Sequence, residues 1–169
     1  MSAVELKPIT EKNWREALTL AVDPNQQAFV ANVMPVAAIA LAKAYIRPSG
    51  KTVEPYGVYH QGTMVGFFNF HYTPNTYDDF WLFHFFIDKR FQRRGFGAAA
   101  VVRLIQHIQR HHPACGRLRL TVHPRNEAAQ RFYQKAGFSD DGVLMFGEPI
   151  YSLVIPQTHV RFGTDEPAP

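Results

Sequence analysis

The pattern of apolar and polar residues changes its period near residue 95. Residues 80–87, FWLFHFFI, form an apolar and aromatic run that is bounded on both sides by charged residues. A short run of this kind is typical of a strand that is buried on both faces. From Ala98 to about Ile108 the apolar residues recur every three or four positions, which predicts an amphipathic helix.

The turn that joins this strand to this helix combines glycine with positive charge. It reads DKRFQRRGFG over residues 88–97, so Gly95 and Gly97 directly precede the helical pattern. The first amide groups of a helix have no partner within it and lie at the positive end of its dipole. Glycines leave these amides open to an anion, and Arg93 and Arg94 add formal charge. The turn therefore predicts a phosphate or pyrophosphate site.

The rest of the chain predicts an α/β fold in which short strands alternate with helices. Pro113 ends the central helix, and the strand at 117–122 is expected to pair in parallel with the central strand because a helix connects them. The other predicted strands lie at residues 4–10, 55–60, 64–72, 143–148 and 150–155. The other predicted helices lie at residues 10–22, 26–31, 35–45 and 127–136, with Thr10 and Asn126 as N-caps of the first and last.

Two motifs in this framework resemble the signatures of the GCN5-related N-acetyltransferases (the GNAT family). Residues 92–97, QRRGFG, match the pattern Q/R-x-x-G-x-G/A, and residues 126–138 match N-x-x-A-x-x-[FL]-Y-x-K-x-G-F. The resemblance implies a mixed, mostly antiparallel sheet whose parallel central strands are splayed and flanked by helices. It also implies acetyl-CoA as the donor, CoA as the product and no metal. We expect one N-acetyltransferase domain over residues 1–155, followed by a flexible tail at 156–169 that is rich in proline and glycine.

The same resemblance assigns the cofactor-binding residues. The backbone near the end of the central strand would pair with the pantetheine arm, and the amides of the glycine-containing turn would hold the pyrophosphate. Asn126 would hydrogen-bond the pantetheine arm. The residues assigned in this way are Phe85, Phe86, Ile87, Arg93, Arg94, Gly95, Phe96, Gly97, Ala98, Asn126, Ala129 and Lys135.

Tyr133 stands at the position of the family's general acid. A phenol with an ordinary pKa of about 10 stays protonated at neutral pH, and it can protonate a thiolate whose parent pKa is about 8.5. We therefore expect Tyr133 to protonate the departing sulfur. A backbone amide near Phe86 or Ile87 is expected to stabilise the oxyanion.

The group that accepts the proton of the amine is left open. An alkyl amine with a pKa of about 10.4 is almost fully protonated at neutral pH, so its proton must pass to the protein directly or through water. His84, the polar residue inside the apolar run, is one candidate, and Glu148 near the end of a late strand is another. Some polyamine acetyltransferases use a strand glutamate for this step, but this chain has Phe83 there.

A narrower resemblance points to the acceptor. Residues 11–14 (EKNW), 26–31 and 55–67 are similar to the bacterial spermine/spermidine N-acetyltransferases, which implies a polyamine. A polyamine needs carboxylates around it. Glu54, Asp78, Asp79 and Glu148 fall at positions that could face the acceptor, and a solvated loop charge is the alternative for each of them. The alternatives are an aminoglycoside, an amino acid, a protein amino group, or a CoA-binding regulator without turnover.

Amino-acid composition favours a globular protein and argues against nucleic-acid-binding, disulfide-linked and zinc-binding classes. The chain has 169 residues, of which 46% are hydrophobic, enough for a packed core. Its net charge of +4 suits an anionic ligand but is too dispersed to predict nucleic-acid binding. The single cysteine, Cys115, excludes an internal disulfide and a cysteine-based zinc site.

Membrane and metal partners are not expected. No apolar run approaches the roughly 18 residues of a membrane span and no signal peptide is recognisable, so we expect a soluble, cytoplasmic protein. His107 and His111 have the spacing of helical metal ligands, but no third ligand is in register with them. The sequence leaves the oligomeric state open, a homodimer included.

Overall fold

A computed structural model of the chain describes residues 3–31 and 35–156. The strands in this part of the chain are β1 (Glu5–Pro8), β2 (Thr52–His60), β3 (Thr63–Tyr72), β4 (Phe80–Ile87), β5 (Arg117–Thr121), β6 (Ser139–Met145) and β7 (Glu148–Val154). They form one sheet in the order β1-β2-β3-β4-β5-β7-β6. Neighbouring strands are antiparallel except β4 and β5, which are parallel. The predicted mixed, mostly antiparallel sheet and its parallel central pair are therefore confirmed.

Helices cover both faces of this sheet. They are α1 (Trp14–Thr19), α2 (Gln27–Val30), α3 (Val36–Ile46), α4 (Phe96–His111) and α5 (Glu127–Lys135), with short 3-10 turns at Pro24–Gln26 and Pro48–Gly50. Residues of β3 that point in opposite directions supply two buried clusters. Phe68 and Phe70 pack with α4 and α5, whereas Met64 and Phe67 pack with α1 and α3. None of the described helices is both long and apolar enough to cross a membrane.

The parallel strands β4 and β5 touch only where they begin. Phe80 pairs with Leu118 and Trp81 with Arg119, and no further pair follows. The second half of β4 therefore has β3 on one side and no ladder partner on the other. The sheet opens at this point, as the splayed central strands of the predicted fold require.

A β-bulge at His84 bends the second half of β4. Phe83 is paired with Asn69, and Phe86 is paired with Phe67, so two residues of β4 lie opposite a single residue of β3. His84 has a φ of 51°, in the left-handed region, where histidine is found more often than most residues. The apolar run gave no sign of this bulge because it contains no glycine.

Several sequence-based expectations differ from the structure. Residues 83–85 are half-buried rather than buried on both faces, because a cavity lies beside them. The N-cap position of α1 is Asn13 instead of Thr10, whose amide donates to Asn13 Oδ1 at 2.7 Å in a turn before the helix. A turn at residues 146–147 divides β6 from β7 inside the predicted strand 143–148. The predicted tail lies outside the described residues from 157 onwards.

We expect Phe80→Ala to lower the free energy of unfolding by about 3–5 kcal/mol, the usual cost of deleting a buried aromatic ring. Phe80 is fully buried at the contact of β4 with β5, with its ring 5.4 Å from that of Tyr72 and 6.0 Å from that of Phe70. Phe146→Ala is the matched control, because Phe146 is 97% exposed. The control should change stability by less than about 0.5 kcal/mol in urea denaturation. Equal losses in the two variants would contradict this placement of the core.

Candidate active site

The first of two cavities lies where β4 diverges from β5. It has a volume of about 520 Å³ and is bounded by the end of β4, the start of α4 and one face of α5. Most of the predicted cofactor residues line it, namely Phe85, Phe86, Ile87, Arg93, Gly95, Phe96, Gly97, Ala98, Asn126 and Ala129. Arg94 and Lys135 are not among the lining residues. The Arg94 guanidinium lies 5.7 Å from the ring of Phe91, and Lys135 is exposed at the end of α5.

The start of α4 is arranged as an anion site. Gly95 is the N-cap residue with a φ of 80°, and no side chain caps the helix. Gly97 lines the cavity with no side chain to cover the neighbouring amides. By contrast, α5 is capped by Asn126, whose Oδ1 accepts from the Ala129 amide at 3.1 Å. The uncapped amides and the adjacent Arg93 fit a pyrophosphate group.

Two polar side chains fix the turn between β4 and α4. The buried Asp88 carboxylate accepts hydrogen bonds from the Ala21 amide at 2.9 Å and from Arg90 Nε at 2.7 Å. Burial opposes its charge, but the hydrogen bonds from Arg90 and Ala21 hold the pKa of Asp88 below its ordinary value. Gln92 Nε2 donates to the Ile87 carbonyl at 3.0 Å. Contacts within the protein therefore hold in place the turn that leads into the uncapped amides of α4.

A second cavity, with a volume of about 420 Å³, adjoins the first. It is bounded by α2, α3, the bulged part of β4, the residues after β5 and the turn between β6 and β7. The two cavities share a wall, whose residues are Phe29, Val30, Phe85, Asn126, Ala129 and Tyr133. The two cavities are therefore adjacent at these residues, and groups bound in them would lie next to each other there.

Tyr133 lies in the shared wall, in the second turn of α5. The side chain is 8% exposed, and its ring packs against Phe132 and Phe138 at centroid distances of 5.1 Å and 5.5 Å. Burial raises the pKa of Tyr133, so the hydroxyl keeps its proton at neutral pH. The structure thus places a protonated phenol between the two cavities.

His84 and Glu148, the two candidate proton acceptors, both line the second cavity. The bulge turns His84 toward the helices, where Nδ1 donates to the Val30 carbonyl at 3.1 Å. Its other nitrogen, Nε2, lies 3.2 Å from Lys43 Nζ and accepts from it. Burial, followed by the charge of Lys43, lowers the pKa of His84 despite the Val30 hydrogen bond. Glu148 is half-buried, and no described cation forms a salt bridge with it.

The other acidic residues expected near the acceptor are bound elsewhere. Glu54 accepts hydrogen bonds from the hydroxyls of Tyr56 and Tyr72 at 3.1 Å and 3.0 Å. Asp78 forms a salt bridge with Arg119, and Asp79 forms one with Lys51. These three carboxylates do not line the second cavity. Glu148 is the one of these four acidic residues that lines the second cavity.

Several residues of the second cavity were not found from the sequence, and Lys43 and Phe146 are two of them. Lys43 lies on α3, and Phe146 lies at the turn between β6 and β7. Lys43 carries the one charge in the helical stretch VAAIALAKAYI, which is the signal that could have drawn attention to it. Phe146 could not be placed because its position depends on where the turn falls.

The fold combines an open edge between parallel strands, an uncapped helix start and a second cavity beyond a buried phenol. This arrangement suits a transferase whose donor is extended and carries phosphate. The sequence matches the acetyltransferase (GNAT) family over residues 35–138. The chain belongs to this family and is an N-acetyltransferase, as its two motifs predicted.

Individual relatives agree with the narrower resemblance. Spermine/spermidine N(1)-acetyltransferase of Bacillus subtilis (strain 168) is 31% identical over 154 residues, which cover 88% of this chain and 96% of that protein. The spermidine N-acetyltransferase of Vibrio cholerae, solved in complex with CoA and spermine, has a TM-score of 0.70 at 13% identity, covering 93% of this chain and 98% of its own. The PaiA N-acetyltransferase of Thermoplasma acidophilum, in complex with coenzyme A, has a TM-score of 0.65 at 12% identity, covering 90% and 99%. Because these two solved structures are only 13% and 12% identical to this chain, they show that the fold is shared and nothing about its substrate.

We expect Gly97→Leu to weaken CoA binding without unfolding the protein. A Cβ at this position would lie 3.4 Å from the Phe132 ring and 3.7 Å from Ile87 Cγ1, which are ordinary contacts, and a longer side chain would occupy space in the first cavity. Titration calorimetry should show a Kd for CoA raised about tenfold, equal to about 1.4 kcal/mol. Gly97→Ala is the matched control and should leave the Kd nearly unchanged, because the motif accepts alanine at this position. An unchanged Kd for Gly97→Leu would argue against this site for the pyrophosphate.

Proposed function

We propose that the chain transfers the acetyl group of acetyl-CoA to a primary amine of a small polyamine of the spermidine or spermine type. The observation that carries the proposal is the wall shared by the two cavities, with Tyr133 in it. The first cavity would take the donor, and the second would take the amine. The polyamine is supported by the relative that is 31% identical over most of both chains.

Acetyl-CoA would supply the activated thioester, and the protein would bind and orient it. The free edge of β4 at residues 85–87 would hydrogen-bond the pantetheine arm, and the first amides of α4 would hold the pyrophosphate. Asn126 uses its Oδ1 for the helix cap, so its Nδ2 is the atom that can meet the arm. A backbone amide near Phe86 or Ile87 would stabilise the oxyanion.

Tyr133 would give its proton to the departing sulfur. In water a thiolate with a parent pKa of about 8.5 is a weaker base than a phenolate, so the proton transfer requires surroundings that raise the pKa of the thiol more than that of the phenol. Burial raises the pKa of Tyr133, so the thiolate must be the more strongly desolvated of the two groups. Tyr133 keeps its proton until a desolvated thiolate forms beside it.

Glu148 would accept the proton of the attacking amine, directly or through ordered water. Its carboxylate lines the second cavity and forms no described salt bridge. His84 is the alternative acceptor, but its Nε2 is covered by Lys43 at 3.2 Å. Proton transfer to that nitrogen therefore requires Lys43 to move aside.

We expect Tyr133→Phe to lower kcat by about 10²- to 10⁴-fold, the usual contribution of a positioned acid, while the Kd for CoA stays the same. Tyr77→Phe removes a hydroxyl from a tyrosine that is 58% exposed and is the matched control. Kinetics of thiol release and calorimetry with CoA measure the two quantities. Full activity in Tyr133→Phe would exclude its role as the acid. A CoA-binding regulator would release no thiol even as the wild type.

The acceptor is tested by release of free thiol from acetyl-CoA in the presence of candidate amines. We expect kcat/KM for spermidine and spermine to exceed the values for aminoglycosides and lysine peptides, because the relative that is 31% identical is a spermine/spermidine N(1)-acetyltransferase. Background hydrolysis without an amine is the control. Equal, low activity with every polyamine would remove the polyamine and leave the acetyltransferase in place.

A further inference from the structure

The second cavity carries two opposite charges. Among its described lining residues, Lys43 and Glu148 are the side chains with a formal charge, His84 and His123 are the histidines, and most of the others are apolar. Lys43 and Glu148 are not bound to each other, and neither forms a described salt bridge with any other residue. An ammonium in the wall of the cavity favours a substrate that carries a negative charge in addition to its amine.

Lys43 is held in place and kept available. Its Nζ donates one hydrogen to His84 Nε2 at 3.2 Å, which is the acceptor nitrogen because Nδ1 donates to the Val30 carbonyl. The ammonium also lies 5.9 Å from the centre of the Phe83 ring. Two of its hydrogens are left for a ligand. The bulge at His84 thus serves to orient a lysine toward the cavity.

Lys43 has no opposite charge beside it among the described residues. Its side chain is half-buried, and burial lowers the pKa of Lys43. A charge that is partly removed from water is stabilised when an opposite charge lies next to it. No described carboxylate provides that partner, so an anionic group of a substrate is the partner that would complete the site.

We propose that the second cavity binds a diamine that carries a carboxylate, with Lys43 pairing with the carboxylate and Glu148 near the reacting amine. This rests on the proposed acetyl transfer but does not require the acceptor to be a polyamine. In the reaction the amine nitrogen bonds to the acetyl carbon as the carbon–sulfur bond breaks. The protonated amine loses two protons in all, one to solvent before the attack and one toward Glu148 as the amide forms. The sulfur takes the proton of Tyr133, and the proton held by Glu148 returns through solvent to the Tyr133 phenolate.

Two matched pairs of amines test the proposal on the wild-type protein. Ornithine is putrescine with an added carboxylate, and lysine is cadaverine with an added carboxylate, so each pair differs in one group. We expect kcat/KM to be about tenfold higher for the carboxylated member, as a charge-assisted hydrogen bond provides. Equal values, or higher values for the plain diamines, would overturn the proposal.

Variants then assign the preference to Lys43. For each pair, the ratio is kcat/KM of the carboxylated amine divided by kcat/KM of the plain diamine. In Lys43→Gln this ratio should fall by about tenfold or more, because kcat/KM rises for the plain diamine and falls for the carboxylated amine. Lys43→Arg should keep a preference for the carboxylated member. Lys12→Gln, an exposed lysine outside both cavities, should leave the ratio unchanged. A ratio that survives in Lys43→Gln would also overturn the proposal.

Calorimetry with CoA separates this proposal from the proposed function. Lys43→Gln should bind CoA with the wild-type Kd, because Lys43 does not line the first cavity, and this shows that the variant is folded. Thiol release with polyamines but without any gain from a carboxylate would contradict the Lys43 pairing and leave the proposed function standing. No thiol release with any amine would contradict the proposed function itself.

Discussion

Beyond its first two residues, β4 has no partner on the side of β5. Phe80 and Trp81 are paired with Leu118 and Arg119, and the ladder stops there. Backbone amide and carbonyl groups need partners once water is excluded, so an edge of this kind is stable only beside solvent or an extended ligand. The rest of the molecule is arranged around that edge. The helices α4 and α5 begin beside the opening, and the anion site and the phenol lie on either side of it.

Most residues that line the first cavity could be predicted from the sequence because they are nearly continuous along the chain. Residues 85–98 include the end of β4, the turn and the first turn of α4, and residues 126–133 supply the facing wall. Glycine at 95 and 97 and the cap at Asn126 are local features, which depend on backbone conformation rather than on distant contacts. The parallel partner of β4 followed from the connecting helix.

The second cavity could not be predicted in the same way because separate segments of the chain assemble it. Asp78 and Asp79 looked equivalent to Glu148 in the sequence, but Arg119 and Lys51 bind them in the fold. The bulge at His84 has no sequence signal, since histidine occupies a conformation for which glycine is the usual indicator. These outcomes depend on tertiary contacts, which hydrophobic periodicity does not report.

Burial of Cys115 has a practical consequence for chemical work on this enzyme. Its thiol is 1% exposed, and burial raises its pKa to about 11, so the reactive thiolate is scarce at neutral pH. It is also the single cysteine of the sequence. The native protein should therefore not react with thiol-reactive dyes. In an assay with such a dye, the signal would come from the thiol of the coenzyme A that the reaction releases. A cysteine engineered at the surface could then carry a fluorophore at one defined position.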